Sequence, residues 1–62
     1  MDDFIKDIIS FLQSVKIKSV FKDDVLYIYN LPDNEDCKKL IKLFRYEALH
    51  KFNKGLKIKL IK

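Results

Sequence analysis

The sequence predicts an α+β fold, a two-layer αββαβ sandwich with two helices packed on one face of a three-stranded sheet. Two stretches repeat apolar residues every three or four positions, which is the helical period. Three short stretches alternate apolar and polar residues, which is the strand period. A chain of 62 residues has room for one core, so residues 1–62 are expected to form a single small domain.

The first helix is predicted over residues 3–15. Asp2 or Asp3 can cap its start, where negative charge also suits the helix dipole. The apolar side chains that recur on one side of this helix are Phe4, Ile5, Ile8, Ile9, Phe11, Leu12 and Val15.

A β-hairpin is predicted over residues 16–22 and 25–30, with Asp23 and Asp24 as its tight turn. A turn of two residues places Phe21 opposite Leu26, and Ser19 opposite Ile28. These four side chains then share one face of the hairpin.

The second helix is predicted over residues 34–52, after a break at Leu31-Pro32-Asp33. Asp33 is the expected N-cap, and Gly55 is the expected left-handed residue beyond the helix end. Its main apolar face consists of Cys37, Leu40, Ile41, Phe44, Ala48 and Phe52.

The third strand is predicted over residues 56–61, where Leu56, Ile58 and Leu60 alternate with Lys57, Lys59 and Ile61. If the aliphatic residues face the helices, alternation leaves the other side of the sheet uncovered. This open face is expected to carry Lys16, Lys18, Val20, Lys22, Val25, Tyr27, Tyr29, Lys57, Lys59 and Ile61.

The open face has the residue types of a nucleic-acid-binding surface, because bases stack on aromatic rings while ammonium groups contact phosphates. We expect Tyr27 and Tyr29 to stack on bases, and Lys18, Lys57 and Lys59 to contact the phosphates of the nucleic acid.

The charges are unevenly distributed along the chain. Residues 1–36 carry four lysines against eight acids, whereas residues 37–62 carry eight lysines and one arginine against one acid. Such an asymmetry is typical of a polyanionic or acidic partner. Lysine recognises phosphate rather than base edges, so binding should be weakly sequence-specific.

Two alternatives stay open at this point. The open face can be an ordinary solvated surface, or it can bury its tyrosines against a second copy in a homodimer. The second helix also carries a partner-binding candidate away from its main apolar face, formed by Leu43, Tyr46, Leu49 and His50. A helix that is apolar on two sides is usually buried on both. This favours a protein-interaction module, for example a small inhibitor or regulator of the kind that mobile elements and phages encode, acting on an acidic protein surface.

Other functional classes lack support in the sequence. Cys37 and His50 lie three helical turns apart, so they cannot share a metal ion, and the single Gly55 excludes a glycine-rich phosphate loop. We therefore expect no enzymatic activity, no cofactor or metal, and no small-molecule substrate. No apolar run approaches the roughly 18 residues of a membrane span, so no membrane association is expected. One cysteine favours a reducing, cytoplasmic location.

Overall fold

A computed structural model describes residues 2–62 of the chain. The elements are α1 (Asp2–Ser14), β1 (Ser19–Lys22), β2 (Val25–Tyr29), α2 (Glu35–Phe52) and β3 (Lys57–Ile61). The sheet order is β1-β2-β3, with β1 antiparallel and β3 parallel to the central strand β2. The predicted α+β sandwich is confirmed.

The hairpin has the predicted register. Phe21 pairs with Leu26, and Ser19 pairs with Ile28. Asp23 and Asp24 have φ values of 53° and 63°, so both turn residues adopt the left-handed conformation of a type I′ turn. This turn type follows the right-handed twist of the strands, and aspartate is one of the few residues besides glycine that tolerate its positive φ values.

The core lies between the sheet and both helices. Leu12, Leu26, Ile28 and Ala48 are fully buried, and they come from α1, β2 and α2. The other buried residues of this cluster are Ile5, Ile8, Ile41, Phe44 and Leu56. The central strand therefore receives its cover from both helices at once.

Aromatic contacts fix how the helices lie against each other. The Phe4 and Phe52 rings are 5.4 Å apart, and the Phe11 and Phe44 rings meet edge to face at 6.4 Å. Because the start of α1 meets the end of α2, the two helices are antiparallel. Phe52 belongs to the predicted apolar face, yet it stays 40% exposed because it packs at the end of the helix pair.

Helix α2 ends at Phe52 as predicted, but it begins one residue later than predicted and has different capping residues. Asn34, rather than Asp33, is the N-cap, and its Oδ1 accepts a hydrogen bond from the Cys37 N–H at 2.9 Å. Asn53, rather than Gly55, adopts the left-handed conformation at the C-cap, with φ 52°. Asparagine tolerates both positions because its short polar side chain bonds to nearby backbone.

The first strand is shorter than predicted. Residues 16–18 were expected to belong to it, but Lys16 has φ 64° and ends α1 in a left-handed turn. The Ile17 N–H donates to the Leu12 carbonyl at 2.8 Å, which satisfies a carbonyl of the last helical turn. Because Lys16 and Ile17 form this helix end, they cannot also belong to the predicted strand.

Candidate nucleic-acid interface

Alternation along β2 separates the core from the open face. Leu26 and Ile28 are fully buried beneath the helices, whereas Val25, Tyr27 and Tyr29 on the opposite side are half-buried. The tyrosine rings are thus outside the core, as the sequence predicts. They lie on the central strand, where both neighbouring strands can place side chains beside them.

The strand register supplies those neighbours. Tyr27 pairs with Val20 on one side and with Lys59 on the other. Tyr29 pairs with Ile61 of β3, and its N–H donates to the Lys18 carbonyl at 2.9 Å. Each tyrosine therefore has one apolar neighbour and one lysine across the sheet.

A further row lies at the hairpin end of the open face, where Val25 pairs with Lys22 and with Lys57. The sheet thus brings Lys18, Lys57 and Lys59 around the two tyrosines. Lys18 comes from just before β1, whereas Lys57 and Lys59 come from β3. Residues almost forty positions apart in sequence therefore lie on the two sides of the tyrosines, because β2 is the central strand.

The lysines of this surface are available for an anionic ligand. Lys18, Lys57 and Lys59 are exposed, and none forms a salt bridge with the residues that the structure describes. The Lys18 ammonium lies 5.5 Å from the centre of the Tyr29 ring, a cation–π distance. A phosphate bound to this ammonium would therefore lie close to a ring on which the attached base can stack.

Lys16 does not belong to this surface as a strand residue. It was predicted on the open face, but it lies in the turn after α1, so strand alternation no longer determines where its side chain is directed.

The exposure of Leu60 also differs from expectation. It has the predicted inner-face register, opposite Ile28, yet it is 53% exposed because the edge strand β3 is not fully covered by α2.

The second candidate surface, which we call the outer stripe, consists of Leu43, Tyr46, Leu49 and His50 on α2. All four are exposed, and Tyr46 is 64% exposed. The Tyr46 and His50 rings stack with centroids 5.7 Å apart and planes 6° from parallel. The buried residues Phe44 and Ala48 direct the opposite side of α2 towards the core. The outer stripe and the open face thus lie on different sides of the domain.

No group of three or more histidine, cysteine or acidic side chains among residues 2–62 is placed to hold a metal ion. Neither α1 nor α2 combines the length and the apolar content needed to cross a membrane.

Comparisons with protein-family models, with curated proteins and with solved structures find no match to this chain.

Proposed function

We propose that this protein is a small non-enzymatic binding domain that holds single-stranded nucleic acid on its open face. The observation that carries the proposal is the placement of Tyr27 and Tyr29 on the central strand, with unpaired lysines on the two flanking segments. Aromatic rings and cations in this combination bind bases and phosphates together.

The spacing of the rings favours a single strand. Side chains two residues apart on a strand are separated by roughly 6.7 Å. Successive nucleotides in a duplex rise by about 3.4 Å along each strand, and their bases are already stacked on each other. A nucleic acid that stacks one base on Tyr27 and the next on Tyr29 must therefore be extended and unpaired.

The apolar neighbours of the rings suit the same ligand. Val20 is 39% exposed beside Tyr27, and Ile61 is half-buried beside Tyr29. These side chains can contact the edges of stacked bases and sugars without a hydrogen-bond requirement. This supports binding that depends little on base identity.

The charges predict how salt affects the affinity. Phosphate contacts by Lys18, Lys57 and Lys59 would give a slope of log affinity against log salt of about −2, because each contact to a single strand contributes about −0.7. Removing one of these lysines should make the slope shallower by about 0.7. If the nucleic acid instead bound non-specifically to the whole basic half of the chain, removing one of these three lysines would have no larger effect on the slope than removing any other lysine.

The test is fluorescence anisotropy with labelled oligothymidine at low salt. Changing both Tyr27 and Tyr29 to leucine keeps apolar side chains on the sheet but removes the rings, and we expect affinity to fall about 30-fold or more. Changing both to phenylalanine keeps the rings and should retain most binding. Tyr46→Ala, on the outer stripe, is the matched control and should bind as the unchanged protein does.

Two results would reject this function. One is an absence of oligonucleotide binding by the unchanged protein at low salt. The other is unchanged affinity in the leucine variant once circular dichroism has shown that it is folded. Either would remove the role assigned to the rings.

The competing proposal is a protein-interaction module, with a homodimer as one form of it. The outer stripe favours it, because Leu43, Tyr46 and Leu49 are between 48% and 64% exposed on one helix. Recovery of one stoichiometric protein after nuclease treatment, lost on Tyr46→Ala, would support this function. A sedimentation mass near the 7.4 kDa of one chain at micromolar concentration would exclude the homodimer.

A further inference from the structure

A groove of about 380 Å³ lies between α2 and β3, beside the segment that follows β2. The apolar residues that line it are Leu31, Pro32, Cys37, Ile41, Leu60 and, from the open face, Ile61. Ile28, the β2 partner of Leu60, is fully buried, whereas Leu60 is 53% exposed. The groove is therefore the place where the inner face of the sheet lacks cover.

The rim of this groove is strongly cationic. Lys38, Lys42 and Arg45 border it from α2, and Lys62 borders it from the end of β3. Asp33 is the one acid among the lining residues, and its carboxylate is 3.8 Å from the Lys38 ammonium. An occupant of this groove thus meets an aliphatic floor and at least three basic groups without an acidic partner in the lining.

We infer that the groove binds an extended acidic segment of a partner protein. An apolar side chain of that segment would pack on Leu60 and Ile41, while neighbouring carboxylates would contact Lys42 and Arg45. A wholly apolar occupant would remove the cations from water without compensation, which is unfavourable. A nucleic acid is a weaker fit, because the lining contains no aromatic ring on which a base could stack.

The free edge of β3 explains why the segment should be extended. Among residues 2–62, β3 pairs with β2 alone, so the backbone groups along its other edge are free to pair. Adding a strand to such an edge provides main-chain hydrogen bonds, and pockets beside it select alternate side chains. The groove supplies such a pocket beside Leu60, at the end of this edge strand.

The probe is a labelled short peptide in which glutamate alternates with leucine, measured by fluorescence anisotropy against the whole protein. Two further peptides, with lysine in place of glutamate and with serine in place of leucine, should bind at least about tenfold more weakly. The protein variant Lys42→Glu/Arg45→Glu should also lose about tenfold or more in affinity. Lys6→Glu/Lys39→Glu has the same net charge with both changes outside the groove, and it should lose less than about twofold.

Leu60→Ser tests the apolar part of the site without changing its charge, and because Leu60 is half-exposed this variant is expected to fold. It should bind the glutamate–leucine peptide at least about tenfold more weakly. The inference is wrong if the peptide does not bind, if both charge variants weaken binding equally, or if sedimentation shows a dimer that the change at Leu60 dissociates. Oligothymidine affinity should be equal in the two charge variants, so this test can fail without affecting the function proposed for the open face.

Discussion

Ser19 provides a test of how the sheet packs against α1. It pairs with Ile28 on the inner face, and its Oγ is buried without a hydrogen-bond partner among residues 2–62. A cleft of about 330 Å³ lined by Ile9 and Ile17 adjoins it, so a larger side chain has room there. We expect Ser19→Val to stabilise the protein.

The magnitude follows from two contributions. Removing a buried hydroxyl that lacks a partner gains roughly 1–3 kcal/mol, and burying an added methyl group gains about 0.8 kcal/mol. Taking the lower part of this range, the free energy of unfolding should rise by about 2 kcal/mol. In a domain of this size each kcal/mol shifts Tm by roughly 4–8 °C, so Tm should rise by about 8–16 °C.

The assay is urea unfolding followed by circular dichroism, with thermal unfolding as a second measurement. Ser19→Ala removes the hydroxyl without filling the cleft, and it should show the hydroxyl contribution alone. Val20→Ser, one position along on the open face, should be slightly destabilising. A Ser19→Val protein that is no more stable than the unchanged one would show that this side of the inner face is not packed as described.

Two smaller changes test the ends of the helices. Asn34→Ala removes the acceptor for the Cys37 N–H and should lower the free energy of unfolding by about 1 kcal/mol; an unchanged urea midpoint would rule out this cap. Lys16→Gly should raise the free energy of unfolding by roughly 0.5–1 kcal/mol, because glycine adopts a φ of 64° without the strain that a side chain causes there. A loss of stability would contradict the left-handed turn.

The sequence was sufficient to predict those features of the fold that depend only on neighbouring residues. The hairpin register follows from a two-residue turn and strand alternation, and the pairing of Phe21 with Leu26 confirms it. The same alternation places Tyr27 and Tyr29 outside the core. The candidate nucleic-acid interface was therefore predictable in its main residues, although its function remains a proposal.

The predicted ends of elements were wrong where two neighbouring residues could both act as the cap, or where no residue type indicated the end of a helix. Asn34 replaces Asp33 as the cap because both have side chains that can accept the same backbone bond. Lys16 ends α1 in a conformation that usually indicates glycine or asparagine, so no residue type marked the end of that helix. A strand predicted to begin at residue 16 begins at Ser19 for this reason.

By itself, the sequence determined the five elements, the hairpin register and the side of the sheet to which each strand residue is directed, because periodicity is a property of neighbouring residues. Only the tertiary structure decided the strand order and which inner-face residues are covered. Leu60 shows the difference: its position in β3 directs it to the helix side, but α2 leaves it half-exposed beside Arg45 and Lys42. Cover depends on where a helix crosses the sheet, which is set by packing among residues distant in the chain.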